Sequence, residues 1–209
     1  MTQKLKNTDK RDTTDENAPA YAMKWWSMLV VGLGIFMGTL DMSSVNVSLP
    51  TLVEELGTDF ATIQWVILGY VLVITSMMLG VARLGDIFLK KKLYNWGLVV
   101  FILGSTLCGL APSVGWLIAF RVLQGTGAVV LQALGAAIIV EVFPPSERGR
   151  AMGIIGSIVS VGIASGPAIG GMIIGMVGWR WVFLIKLPIG LLTLLASIAY
   201  LPAIPPVRK

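Results

Sequence analysis

The sequence predicts an all-α integral membrane protein with six transmembrane helices, and three observations carry that reading. Of its 209 residues 56% are hydrophobic and 13% charged, where a water-facing domain carries roughly 25% charge. The mean hydropathy is +0.82. The apolar residues fall in blocks of about 20, the length a helix needs to cross a bilayer. Short polar segments separate the blocks, where backbone groups between helices can reach water.

In chain order, residues 1–23 ("MTQKLKNTDKRDTTDENAPAYAM") are polar and of mixed charge. They read as a flexible cytoplasmic tail, because a signal peptide passes directly from a short basic start into an apolar core with a cleavage site. Apolar blocks then place spans near 25–48, 61–82, 93–111, 116–140, 151–177 and 182–201, and residues 202–209 form a cytoplasmic C-terminal end. An even number of spans puts both termini on one side. Lys4, Lys6, Lys10, Arg11 and Lys24 lie in the tail, Arg83 and Lys90–Lys92 in the second loop, Arg148 and Arg150 in the fourth, and Arg208 and Lys209 at the end. That is thirteen of the sixteen basic residues on one face, against Arg180 and Lys186 on the other. Positive loops stay inside, so both termini are expected in the cytoplasm, with the protein in the plasma membrane. Trp25, Trp26, Trp65, Trp96, Trp116, Trp179 and Trp181 fall near span ends, as interfacial aromatic belts require.

The net charge of +5 sits in the loops, where it sets orientation, and no nucleic-acid partner is expected. The single cysteine, Cys108, excludes an internal disulfide. There is no histidine, which removes histidine relays, histidine metal sites and Ser–His dyads. "GTGAVV" within the fourth span lacks the third glycine, the preceding strand and the downstream acid of a nucleotide fingerprint. The chain is therefore not expected to be an enzyme or to need a cofactor or metal.

One acid, Asp41, and one base, Arg121, are expected inside the membrane. A guanidinium cannot neutralise itself, and at bilayer depth it costs about 2.5–3.5 kcal/mol on insertion scales. Asp41 lies nine residues before Pro50 and Arg121 five after Trp116, about 13 Å and about 8 Å of helix. Both fall in the outer half of the membrane. Gly34, Gly38, Asp41, Ser44 and Ser48 share one side of the first span, and Arg121, Gln124, Gly125, Ala128 and Gln132 one side of the fourth. Such stripes are expected to line a water-filled cavity. Three readings stay open: Arg121 snorkels to the interface, it forms a static ion pair with Asp41, or Asp41 takes and releases a proton beside it.

The fifth span, "MGIIGSIVSVGIASGPAIGGMIIGMVGW", spaces Gly162, Gly166 and Gly170 four apart and adds Pro167, Gly171 and Gly175. Small residues at this spacing let two helices approach closely, and a proline tends to kink its helix.

Four stretches resemble the drug:proton antiporters of the major facilitator superfamily, in particular the fourteen-helix branch. They are "LDMSSVNVSLP" (40–50), "QWVILGYVL" (64–72) with "ARLGDIFLKKK" (82–92), "LIAFRVLQGTGA" (117–128), and "GIASGPAIGG" (162–171) with "WRWVFLIKLPIG" (179–190). The resemblance implies one six-helix half of such a transporter, itself a three-plus-three inverted repeat. It implies proton coupling at Asp41 and Arg121, a substrate cavity with Asn46, Gln64, Tyr70, Gln124 and Gln132, and a cytoplasmic gate at Asp86, Lys90 and Lys91. It also implies that Gly162, Gly166, Pro167, Gly170 and Gly171 form the antiporter-motif packing helix, set against the opposite half. The chain departs from the family at Ala82, Ile87 and Leu89 in the loop, and at Lys186 where asparagine is usual.

These readings lead to an exporter half driven by a proton gradient, moving small amphipathic compounds, embedded in membrane lipid and inactive alone as a fragment or truncated product. It is expected to pair with a C-terminal half or, failing that, with a second copy. A non-transporting membrane assembly subunit is the rival from another class.

Overall fold

A computed structural model describes residues 23–203. Every regular element among them is helical: α1 (Lys24–Leu56), α2 (Phe60–Ile87), α3 (Lys90–Gly109), α4 (Val114–Val142), α5 (Arg148–Val177), α6 (Arg180–Leu184) and α7 (Lys186–Tyr200). The expected tail lies outside the described residues up to residue 22, and the expected C-terminal end lies outside them beyond residue 203.

The helices outrun their apolar blocks. α1 continues through Pro50 to Leu56, and Gly57 ends it at φ 59°, a left-handed conformation that glycine adopts without a Cβ clash. Asp59 caps α2, its carboxylate accepting from the Thr62 amide at 2.9 Å and from the Thr62 hydroxyl at 2.7 Å. Those hydrogen bonds hold the Asp59 carboxyl below the usual carboxylate range.

By length and composition five stretches suffice to cross a membrane: α1, α2, α4, α5, and the run Arg180–Tyr200 that holds α6 and α7. The 20-residue α3 falls short of that mark because three lysines open it, yet it packs along α4 and α7. The last predicted span is not one continuous helix. It is interrupted at Ile185, three residues before Pro188, which has no N–H for the carbonyl of Leu184.

α1 and α4 form the centre. Within their most apolar windows 67% and 61% of residues are buried, against 22% for α2 and 17% for α5, which turn apolar faces outward. Two apolar clusters fill the interior. One contains Val31, Met37, Tyr70, Phe101 and Ala128, the other Val45, Val66, Leu117, Trp179 and Phe183. On α1 the gap between the clusters falls at Asp41, and on α4 it falls at Arg121 and Gln124. A polar layer therefore crosses the middle of the bundle.

Glycine sets how closely the helices meet around that layer. A Cβ at Gly104 of α3 would lie 2.6 Å from the Cα of Gln124, so glycine is what lets α3 press on the α4 backbone there. Gly162, Gly166 and Gly170 of α5 lie against Thr39, Ser43 and Ser44 of α1. Pro167, which has no N–H, leaves the Ile163 carbonyl without its helical donor, and the Ser43 hydroxyl donates to that oxygen at 2.7 Å. The named glycines thus pack within this bundle, while Pro167 and Gly171 are exposed.

Six tryptophans are half-exposed, as belt residues are; Trp179 corrects the expectation at 1% exposed. Its ring packs edge-on to Phe183, and its Nε1 donates to Glu55 at 3.0 Å. A buried indole needs such an acceptor.

Candidate functional site

Asp41, Arg121, Gln124 and Lys186 meet in the polar layer, and each is at most 1% exposed. Arg121 reaches Asp41 with Nη1 on Oδ2 at 2.5 Å, and the same nitrogen donates to Oε1 of Gln124 at 2.8 Å. Its Nε donates to the carbonyl of Val66 on α2 at 3.1 Å. Gln124 Nε2 donates to Asp41 Oδ1 at 3.2 Å, so the amide bridges acid and base. The guanidinium lies 4.0 Å from the centre of the Tyr70 ring, a cation–π contact between two buried side chains. Arg121 therefore does not snorkel; contacts from α1, α2 and its own α4 hold it in place.

Lys186 completes the set and corrects two expectations. It is not on the outer face, and the interior does not hold one acid and one base. Its Nζ lies 2.6 Å from Asp41 Oδ1, donates to the Val182 carbonyl at 2.6 Å, and stands 5.0 Å from the Phe183 ring. The reason is the helical run that starts at Arg180, a residue on the surface. Lys186 sits six residues into it, about 9 Å deeper. The cluster thus carries one negative and two positive charges. Among the described residues Nη2 of Arg121 and the hydroxyl of Tyr70 are buried without a hydrogen-bond partner.

The polar stripes of α1 and α4 do not line a water-filled cavity. Gly34, Gly38, Asp41, Ser44 and Ser48 are buried, as are Arg121, Gln124, Gly125 and Ala128, with Gln132 half-buried. The polar groups satisfy one another and nearby carbonyls: Ser44 and Ser48 donate their hydroxyls to the carbonyls of Asp41 and Ser44. The residues expected to form one substrate cavity are also dispersed. Tyr70 and Gln124 belong to the charge cluster, Gln132 lies beside Gly38, and Asn46 and Gln64 are exposed on α1 and α2. An apolar groove of about 530 Å³ lies elsewhere, between α1 and α5 and lined by Met28, Leu33, Phe36, Ile154 and Val161 among others.

At the end of the bundle that carries Lys24, the expected gate residues separate. Lys90 is 2% exposed and pairs with Glu141 of α4 at 2.9 Å, not with Asp86. Lys91 donates to the Ile198 carbonyl at 2.9 Å, tying α3 to α7. Asp86 is exposed, and no ion pair of it occurs among the described residues. Lys24 pairs with Glu147 at 2.7 Å, and Trp26 stacks on Tyr200 at 4.7 Å. Glu141 and Glu147 are therefore the acids that join helices at this end.

Residues 31–209 match the family model described as Major Facilitator Superfamily. The chain is 39% identical over 179 residues to the riboflavin transporter RibZ of Clostridioides difficile, covering 86% of this chain and 39% of that protein. It is 36% identical over 175 residues to the multidrug resistance protein Stp of Mycobacterium tuberculosis, covering 83% of this chain and 33% of Stp. It is 33% identical over 177 residues to the tetracenomycin C resistance and export protein of Streptomyces glaucescens, covering 85% of this chain and 33% of that one. The chain thus spans between a third and two fifths of the length of these relatives. Its fold is similar to that of a bacterial homologue of the human lysosomal transporter Spinster, solved inward-facing and unoccupied. The TM-score is 0.72 at 20% identity, over 88% of this chain and 44% of that one. The all-helical bundle, its membrane-length helices and the match over residues 31–209 place this multi-pass membrane protein in the major facilitator superfamily.

Proposed function

We propose that the chain supplies the first six-helix half of a proton-coupled exporter of small amphipathic compounds. The observation that carries the reading is the buried Asp41–Arg121–Lys186 cluster, held by α1, α2, α4 and the α6–α7 run at the centre of the bundle. Several charges buried in the middle of a membrane bundle are costly to keep, and in transporters such groups mark ion and proton pathways. Relatives named for drug resistance or antibiotic export favour amphipathic cargo, although a riboflavin transporter stands among them. The apolar faces of α2 and α5 suit a second wall, against which one half rocks to expose a site alternately to either side. A C-terminal half is the favoured partner and a second copy of this chain the alternative.

The test uses proteoliposomes under an imposed proton gradient. The chain reconstituted with a C-terminal half from Stp should move a cationic dye, and Asp41→Asn should abolish gradient-driven movement while the chain still inserts. Undiminished movement by Asp41→Asn would end the coupling reading. Movement by this chain alone, lost in Asp41→Asn, would show that it works as a homodimer.

The proposed orientation has both termini in the cytoplasm and the protein in the plasma membrane. Ser113, exposed at the start of α4, then faces outward. With buried Cys108 removed, Ser113→Cys should react with an impermeant thiol reagent on intact cells. Labelling only after the cells are opened would reverse the topology.

A further inference from the structure

We infer that the proton carried by the cluster rides on Nζ of Lys186, which makes Lys186 the gating charge of the site. This rests on the proton-coupled reading above and names the atom that reading leaves open. Among the described residues the cluster has one carboxylate for two cations, so its full protonation state bears one uncompensated positive charge among buried groups. Three groups compete to change that charge. Arg121 cannot release a proton at any reachable pH. Protonating Asp41 would worsen the imbalance, and it would place an O–H against N–H donors. Its Oδ1 faces Lys186 and Gln124, and its Oδ2 faces Arg121.

Lys186 has the opposite geometry. An ammonium has three N–H groups, and among the described residues Nζ has two oxygen partners, Asp41 Oδ1 and the Val182 carbonyl. A neutral amine keeps two N–H groups, one for each oxygen. Releasing the third proton therefore sacrifices neither contact and brings the cluster to zero net charge. Of the two cations, only the lysine ammonium can release a proton, because the guanidinium always keeps its own. The other ionisable groups near Nζ are Asp41 of α1, Arg121 of α4 and Cys108 of α3, with Tyr70 of α2 against the Arg121 guanidinium. Arg180, the charged residue of α6, is on the surface and approaches Glu55 at 4.0 Å.

The exchange step balances simply. One N–H bond of the Lys186 ammonium breaks, its electron pair stays on nitrogen, and the proton passes to water on whichever side the site opens. The neutral cluster no longer repels a cationic compound. Reprotonation restores the repulsion and expels it. One proton then exchanges for one positive charge without any change at Asp41.

The test reads the protonation state directly, in the whole chain, without requiring transport. The 209-residue protein labelled with 15N-lysine is placed in lipid nanodiscs, and the Nζ signal missing from both Lys186→Gln and Lys186→Arg is followed with pH. It should pass from ammonium to amine as the pH is raised, before the range in which a free lysine does so. In Asp41→Asn, which strips two cations of their counter-ion, the amine should already dominate at neutral pH. A Lys186 signal that stays ammonium into the range of a free lysine overturns the inference.

A second arm uses the chain reconstituted with a C-terminal half. Lys186→Arg should lose gradient-driven dye movement, whereas Lys186→Gln should pass dye down its own gradient at a rate independent of pH. Lys186 titrating in an assembly that shows no proton coupling would sink the exporter reading alone. Lys186 fixed as ammonium while Asp41→Asn still abolishes coupling would sink this inference alone and return the proton to the Asp41 carboxyl.

Discussion

Asp41→Ala is expected to destabilise the bundle by about 3–5 kcal/mol, the cost of removing one partner from a buried ion pair. The truncation leaves Arg121 without its counter-ion and Lys186 without its carboxylate partner, both at most 1% exposed. It also takes an acceptor from Gln124, whose amide nitrogen then lacks its recorded partner. Asp41→Asn should cost less, because the amide oxygen still accepts from Arg121. Asp41→Ala with Lys186→Met should recover part of the loss, since the buried Nζ that lost its Asp41 partner is gone. The measurement is unfolding of the chain in mixed micelles by added denaturing detergent, followed by tryptophan fluorescence. A loss below about 1 kcal/mol for Asp41→Ala would place the pair at the exposed end of the range. It would mean that these charges reach water or headgroups and are not enclosed.

That expectation draws on what the sequence showed and on what it hid. Asp41 and Arg121 were legible because a charge inside an apolar block is conspicuous, and because helix rise gave both similar depths. Lys186 was hidden by the same method. It lies six residues after Arg180 and only four past the expected start of the sixth span at 182, so it was counted with Arg180 on the outer face. The start of the α6–α7 run at Arg180 moves it inward, and a helix start is among the least certain features of a sequence reading. Trp179 misled for the same reason. Its spacing suits a belt, and only its bond to Glu55 reveals a buried indole.

The stripes of α1 and α4 were read with the right residues and the wrong surroundings. Periodicity shows that Asp41, Ser44 and Ser48 share a face, but it cannot say whether that face meets water or another polar face. At the other end, Lys90 was legible as a charge and Glu141 was not legible as its partner, because that pairing depends on how α3 and α4 are set side by side.

Gly166→Ala is expected to lower stability by about 1–3 kcal/mol, the usual cost of overpacking a close contact, while Gly171→Ala should stay within about 0.5 kcal/mol of the parent. The two glycines are five apart on α5, and sequence alone gave both to one motif. A Cβ at Gly166 would run into the side chain of Ser43 and lie 3.1 Å from the Ser43 carbonyl carbon, which belongs to backbone and cannot rotate away. Making room means moving α5 off α1. That movement also breaks the bond from the Ser43 hydroxyl to Ile163, whose carbonyl Pro167 has already deprived of a helical donor. An orphaned carbonyl facing hydrocarbon adds to the cost. A Cβ at Gly171 meets nothing within 4 Å. The same detergent unfolding measurement reads both variants. Equal losses would show that Gly171 is covered by something this packing does not contain. No loss in Gly166→Ala would show that α5 stands farther from α1 than the Ser43 contact requires.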